Sequence, residues 1–92
     1  MSIYKENAKL LKAISHLTRI KIVIELTKRG PCTVNQISDF LEIPQSTTSQ
    51  HLAIMRSRKI LANNRKGYEV YYSVQDKKVN TLIEVLLGQK ID

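Results

Sequence analysis

Residues 33–59, "TVNQISDFLEIPQSTTSQHLAIMRSRK", carry two helical patterns separated by about three residues. In the first, Thr33 followed three places later by Gln36 is a capping-box signature for a helix start. Val34, Ile37 and Leu41 then give a short helix one apolar face. "EIP" is a tight connection, and Pro44 suits the first turn of the next helix. In that helix Thr48, Leu52 and Met55 form an inward stripe. Ser46, Gln50, Ala53 and Ser57 form an outward one, with Gln45 and Ser49 beside it. Two short helices so closely joined, the second small and polar outside, make a helix-turn-helix.

Working outward, residues 3 to 14 place Tyr4, Ala8, Leu11 and Ile14 at helical spacing. A second helix, starting near Ser15 or Thr18, carries Ile20, Val23, Ile24 and Leu26. "RGP" ends it, because Gly30 suits the position past a helix end and Pro31 cannot continue one. From Ile60 the period changes. "ILANNRKGYEVYYSV" reads as two strands around a turn at Lys66-Gly67, with Tyr68, Val70, Tyr72 and Val74 alternating onto one face. A hairpin directly after a helix-turn-helix is a wing. From about Asp76, Val79, Leu82, Ile83, Leu86 and Leu87 stripe a final helix. The expected fold is therefore mainly α with a small β-hairpin, a winged helix-turn-helix in the order α-α-α-α-β-β-α. It fills residues 1–92 as one domain, since 92 residues are enough for one core and not for two.

Charge narrows the partner. The formal net charge is +7 and the pI near 9.8, which favours an anionic partner such as nucleic acid or an acidic membrane surface. Between Glu42 and Glu69 no acidic residue occurs, while Arg56, Arg58, Lys59, Arg65 and Lys66 all fall there. Amides and hydroxyls at the start of the second motif helix can read base edges in a major groove, and the cations around it suit phosphates. Alone, the polar stripe is equally a solvated helix face. With the motif spacing, the wing and the acidic gap it points to double-stranded DNA.

Other classes fit less well. No nucleophile–base pair, paired carboxylates or Gly-rich phosphate loop is present, so an enzyme is not expected. No apolar run approaches the roughly 18 residues of a membrane span, and the N-terminus lacks a signal-peptide core. The lone Cys32 cannot form an internal disulfide. A soluble, cytoplasmic protein is expected.

"ISHLTRIKIVIEL", the motif stretch through "RSRKIL", and "RKGYEVYYSV" together resemble the ArsR family of small winged-helix repressors, over about residues 8 to 88. The resemblance implies a homodimer, and a symmetric dimer would match a palindromic operator. Its interface would come from the first and last helices, through Tyr4, Leu11, Ile14, Val79, Leu82, Ile83 and Leu86. It implies that Gln45, Ser46, Thr47, Ser49 and Gln50 face the major groove. Arg65 and Lys66 at the wing tip would reach the backbone or minor groove. Arg19 matches an arginine of the family and is a phosphate-contact candidate, with a solvated helix residue as the plain alternative.

The sequence departs from the family where relatives hold metals. A "CVCD"-like ligand segment is replaced by Thr33, Val34, Asn35 and Gln36. A second ligand set, on the last helix, is replaced by Asp76, Lys78, Gln89 and Asp92. Lys78 would repel a metal and Gln89 is a poor zinc ligand. Redox-sensing relatives need a second Cys. No cofactor and no metal site are therefore expected. His51, beside the inward Leu52, reads as a hydrogen-bonded structural residue. Cys32 reads as a small packed thiol, with reactivity as the alternative. The usual Gly after the recognition helix is missing in "RSRKIL", which leaves the path into the wing open. Two other readings stand beside the DNA-binding repressor: a metal- or redox-responsive sensor of the same fold, and a winged-helix module that binds an acidic protein.

Overall fold

Side-chain caps mark where three of the five helices begin. In the computed structural model, which describes residues 2–91, the order is α1 (Ile3–Ile14), α2 (Leu17–Arg29), α3 (Val34–Leu41), α4 (Gln45–Ser57), β1 (Leu61–Lys66), β2 (Glu69–Val74) and α5 (Lys77–Leu87). Ser2 caps α1 by accepting from the N–H groups of Tyr4 and Lys5. Thr33 and Gln36 form the full reciprocal capping box at α3. Asp76 caps α5 through the N–H of Lys78. Pro44 stands one place earlier than expected, as the residue before the first helical position of α4.

The core forms where these helices meet α4 and the base of the hairpin. Ile22, Val23, Ile37, Leu52, Met55, Ile60, Leu61, Val79 and Ile83 are all buried. At roughly 1.5–3 kcal/mol for each large apolar side chain removed from water, this cluster dominates the stability of so short a chain. The inward stripe of α4 holds as expected, with Thr48, Leu52 and Met55 wholly buried. Thr48 is held by Ser38, whose hydroxyl donates to it at 2.9 Å, and itself donates to the carbonyl of Pro44. That pair pins α3 to α4 inside the motif.

The missing glycine after α4 is replaced by strain. Lys59 takes a left-handed φ of 62°. The N–H of Lys59 donates to the carbonyl of Arg56 and that of Ile60 to the carbonyl of Met55, the two bonds of a Schellman ending, with Ile60 and Met55 both buried in the core. A side chain in this region costs about 1–2 kcal/mol, while glycine loses about 0.5–1 kcal/mol more entropy on folding. Lys59→Gly should therefore raise stability by about 0.5–1 kcal/mol in urea unfolding without DNA. A destabilised variant would mean that the Lys59 side chain makes a contact worth more than the strain.

The hairpin corrects the sequence reading. Lys66 pairs with Glu69, so the turn is Gly67-Tyr68 and not Lys66-Gly67. Gly67, at φ 64°, takes the first central position that a two-residue hairpin turn reserves for glycine. Tyr68 leaves the alternating face and projects from the turn, 99% exposed. Val70, Tyr72 and Val74 remain half-buried, Tyr72 and Val74 against the core. Cys32 adds a short third edge, exchanging two backbone hydrogen bonds with Tyr72 at 2.7 and 3.0 Å.

Two helices divide their apolar residues between the protomer's core and its surface. On α1 the stripe Tyr4, Ala8 and Leu11 faces solvent, and the inward residues are Leu10, Ala13 and Ile14. On α5, Val79 and Ile83 are core residues and Leu82 is half-buried, while Val85, Leu86 and Leu87 are exposed. The helical period is right in both, but a period cannot say which of two adjacent apolar stripes faces the protomer's own core.

Candidate nucleic-acid interface

α4 leaves its polar groups outside because its apolar residues are confined to one stripe. Gln45, Ser46, Ser49 and Gln50 are exposed, and Thr47 is half-buried beside them. Pro44 supplies no side-chain cap, so the first N–H groups of α4 keep hydrogen-bonding capacity toward the solvent side. Arg56, Arg58 and Lys59 follow, all exposed. The Schellman turn then hands the chain to β1, whose far end carries the exposed Arg65 and Lys66. Arg65 donates through Nε to the carbonyl of Gly67 at 3.2 Å, folding its guanidinium across the turn. Lys66 Nζ lies 5.9 Å from the Tyr71 ring centroid. Among the described residues the one ion pair is Glu25–Arg29 on α2, so none of the cations of α4 and the wing is held in an ion pair, with Glu69 the carboxylate opposite Lys66 across the hairpin. The surface is an uncharged hydrogen-bonding helix face continued by positive charge.

Behind this face lies a tie that the sequence did not disclose. Arg19 is 7% exposed, neither solvated nor placed to grip a phosphate. Its guanidinium donates to the carbonyl of Ala13 at 2.8 Å, at the end of α1, and its Nε donates to Nδ1 of His51 at 3.0 Å, on α4. A signal was available: Arg19, Ile22, Val23 and Leu26 share one helical face, and that face is the buried one. His51 is the hydrogen-bonded structural residue that was expected. Burial lowers its pKa, with the charge of Arg19 and then His16 adding to the shift. The His16 ring, at the N-cap of α2, is 6.0 Å from it.

Cys32 is the packed thiol of the two sequence readings. It is buried, its Sγ donates to the carbonyl of Gly30 at 3.4 Å, and burial pushes its pKa up, against a smaller opposing effect of Arg29. A raised pKa keeps the thiolate scarce. Among the described residues no group of three or more His, Cys, Asp or Glu side chains is placed to hold a metal ion. Asp76 is occupied as the cap of α5, and Asp92 lies outside the described residues. No helix of the described residues is long and apolar enough to cross a membrane.

Comparison with known proteins decides the family. The family described as bacterial regulatory protein, arsR family, matches residues 16–60, which span α2, the motif helices and the entry to the wing. The transcriptional repressor PagR of Bacillus anthracis is 48% identical over 82 residues, 89% of this chain and 82% of PagR. The chain belongs to the ArsR family. The crystal structure of PagR superimposes with a TM-score of 0.83 at 46% identity, over 90% of this chain and 94% of PagR. That agrees with "QSTTSQHL" and "YYSV", which read in the sequence as PagR-type segments. The arsenical resistance operon repressor of Bacillus subtilis is 33% identical over 72 residues, 78% of this chain and 69% of that protein. A Mycobacterium bovis domain described as a homodimeric winged helix-turn-helix DNA-binding domain shares the fold, with a TM-score of 0.81 at 22% identity over 94% of this chain and 79% of that one. As an ArsR-family protein the chain is a transcriptional repressor with a DNA-binding winged helix-turn-helix fold, and it is not an enzyme.

Proposed function

We propose that this repressor acts in the cytoplasm as a homodimer on a palindromic operator. Gln45, Ser46, Thr47, Ser49 and Gln50 read base edges, and Arg65 and Lys66 grip phosphates. The observation that carries this reading is the junction on α4 and the wing: exposed amides and hydroxyls first, then cations held in no ion pair. Amides can bond bidentately to adenine in the major groove, and neutral side chains avoid the sequence-blind attraction that cations exert. The exposed Tyr4 and Leu11 on α1, with Val85 and Leu86 on α5, supply apolar surface for a symmetric partner. Ile14, Val79 and Ile83 support that face from within the core. We further propose that release from DNA does not run through a metal. The segment aligned with the relatives' thiolate ligands carries Thr33, Val34, Asn35 and Gln36, and Lys78 sets a cation in the second ligand position.

The test compares operator and random DNA. Gln50→Ala should cost about 1–3 kcal/mol on an operator selected from a random duplex pool, and much less on random DNA. Equal losses on both DNAs would show that α4 does not read sequence.

A further inference from the structure

We propose that Arg19 is a positioning residue for the recognition helix: through His51 it ties α4 to α2 and to the end of α1, in a contact that opens when His51 takes up a proton. This rests on the reading of α4 as the DNA-reading helix. Donor and acceptor chemistry fixes the state of the ring. A guanidinium N–H can only donate, so at 3.0 Å from Arg19 Nε the Nδ1 of His51 must be the acceptor. Neutral His51 is thereby fixed with its proton on Nε2. A protonated imidazole has N–H groups at both nitrogens and no acceptor left. It would turn an N–H toward Arg19 and place two cations in contact, the Arg19 side 7% exposed and the His51 side half-buried.

The surroundings offer no relief. The charged and titratable groups acting on the ring are Arg19 and His16, both from α2 and its cap, and both oppose a positive charge. From α1 the group in the cluster is the carbonyl of Ala13, which already holds the guanidinium at 2.8 Å. On α4 itself the neighbours of His51 are Gln50 and Leu52, neither of which titrates. Arg19 cannot move away without leaving that carbonyl, so the half-buried His51 ring has to turn from it, and the tie that holds α4 to α2 is lost. Gln50 lies one residue along from His51, so a shift of the ring's anchor displaces the reading face. Non-specific attraction needs no such register and survives.

The experiment has two arms, both run in a His16→Gln background so that one histidine reports. In the first, nitrogen-15 NMR of the free protein follows His51 with pH. The neutral ring should carry its proton on Nε2. Its titration should lie below the ordinary histidine value of about 6.5 and move up in Arg19→Ala. In the second, binding to a selected operator and to random DNA is measured at each pH. The operator-to-random ratio should fall by up to about a hundredfold per pH unit below the His51 midpoint, because one proton must leave each of the two protomers for specific binding. His51→Asn, whose amide oxygen still accepts but does not titrate, should give a flat profile. The unfolded chain takes the proton more readily than the folded one. Stability held above the ordinary histidine value is therefore lost as pH falls, and melting curves at each pH separate that loss from the loss of reading. An Nδ1-protonated neutral ring, a flat parental ratio, or the same fall in His51→Asn would each overturn the proposal. Failure to select any operator at neutral pH would instead sink the DNA reading, while the NMR arm would still judge the latch.

Discussion

Val85→Glu combined with Leu86→Glu should turn the protein into a folded monomer that no longer holds its operator. Both side chains are 72% exposed in the single chain, so the substitutions leave the protomer's core untouched. Between two protomers the same carboxylates would be desolvated without partners, which costs several kcal/mol per buried charge. The second half-site then loses its tethered reader. Linked binding of this kind multiplies affinity by about 10²–10⁴, so the monomer should bind the operator weaker by a similar factor. Sedimentation equilibrium at micromolar concentration, with circular dichroism to confirm folding, gives the assembly state, and a mobility shift gives the affinity. A double variant that sediments as a dimer would place the interface elsewhere. A parent that sediments as a monomer would remove the dimer altogether.

Removing both wing-tip cations should be the other large effect. Arg65→Ala with Lys66→Ala takes two exposed cations, neither held in an ion pair, from each protomer, and four from a dimer. For every phosphate no longer neutralised, the slope of log K against log salt shrinks in magnitude by about 0.9, so four should flatten it by roughly 3.6. At about 0.15 M salt the corresponding loss is on the order of 10²–10³-fold, on operator and random DNA alike. The double variant keeps Gly67 and hence the turn, so the wing should remain formed. A titration of both DNAs across a salt series tests this. An unchanged slope would mean that the tip does not touch phosphates. A loss confined to the operator would make the wing a base reader.

Much of this architecture is legible in the sequence because it rests on local chemistry. The capping box at Thr33 and Gln36, the break at Gly30-Pro31 and the inward stripe Thr48, Leu52 and Met55 are each set by neighbours within a turn or two. The candidate reading residues are legible for the same reason, since a polar stripe opposite an apolar one must face outward. What fails to show depends on contacts distant in sequence. Arg19 and His51 are 32 residues apart, and nothing in the composition pairs them. The choice of stripe on α1 and α5 depends on packing against α2 and α4. The hairpin turn slips by one residue because Gly67 fits either side of a two-residue loop, and pairing of Lys66 with Glu69 settles it. The missing glycine after α4 leaves the path undecided, and Lys59 resolves it by accepting a left-handed backbone that a sequence pattern would not assign to lysine.

The two hydrogen bonds between Cys32 and Tyr72 bear on how the protein avoids its own copies. A two-stranded ribbon has two open edges, and each invites another chain to add a strand. Here the outer edge of β2 is blocked at its middle by the chain between α2 and α3. The other edge, along β1, carries Asn63, Asn64, Arg65 and Lys66, and polar, positively charged residues of this kind discourage strand addition. The same lysine and arginine that serve a nucleic acid thus also act as gatekeepers against self-association. Neutralising them should leave a wing with less DNA affinity and a greater tendency to aggregate as the concentration rises.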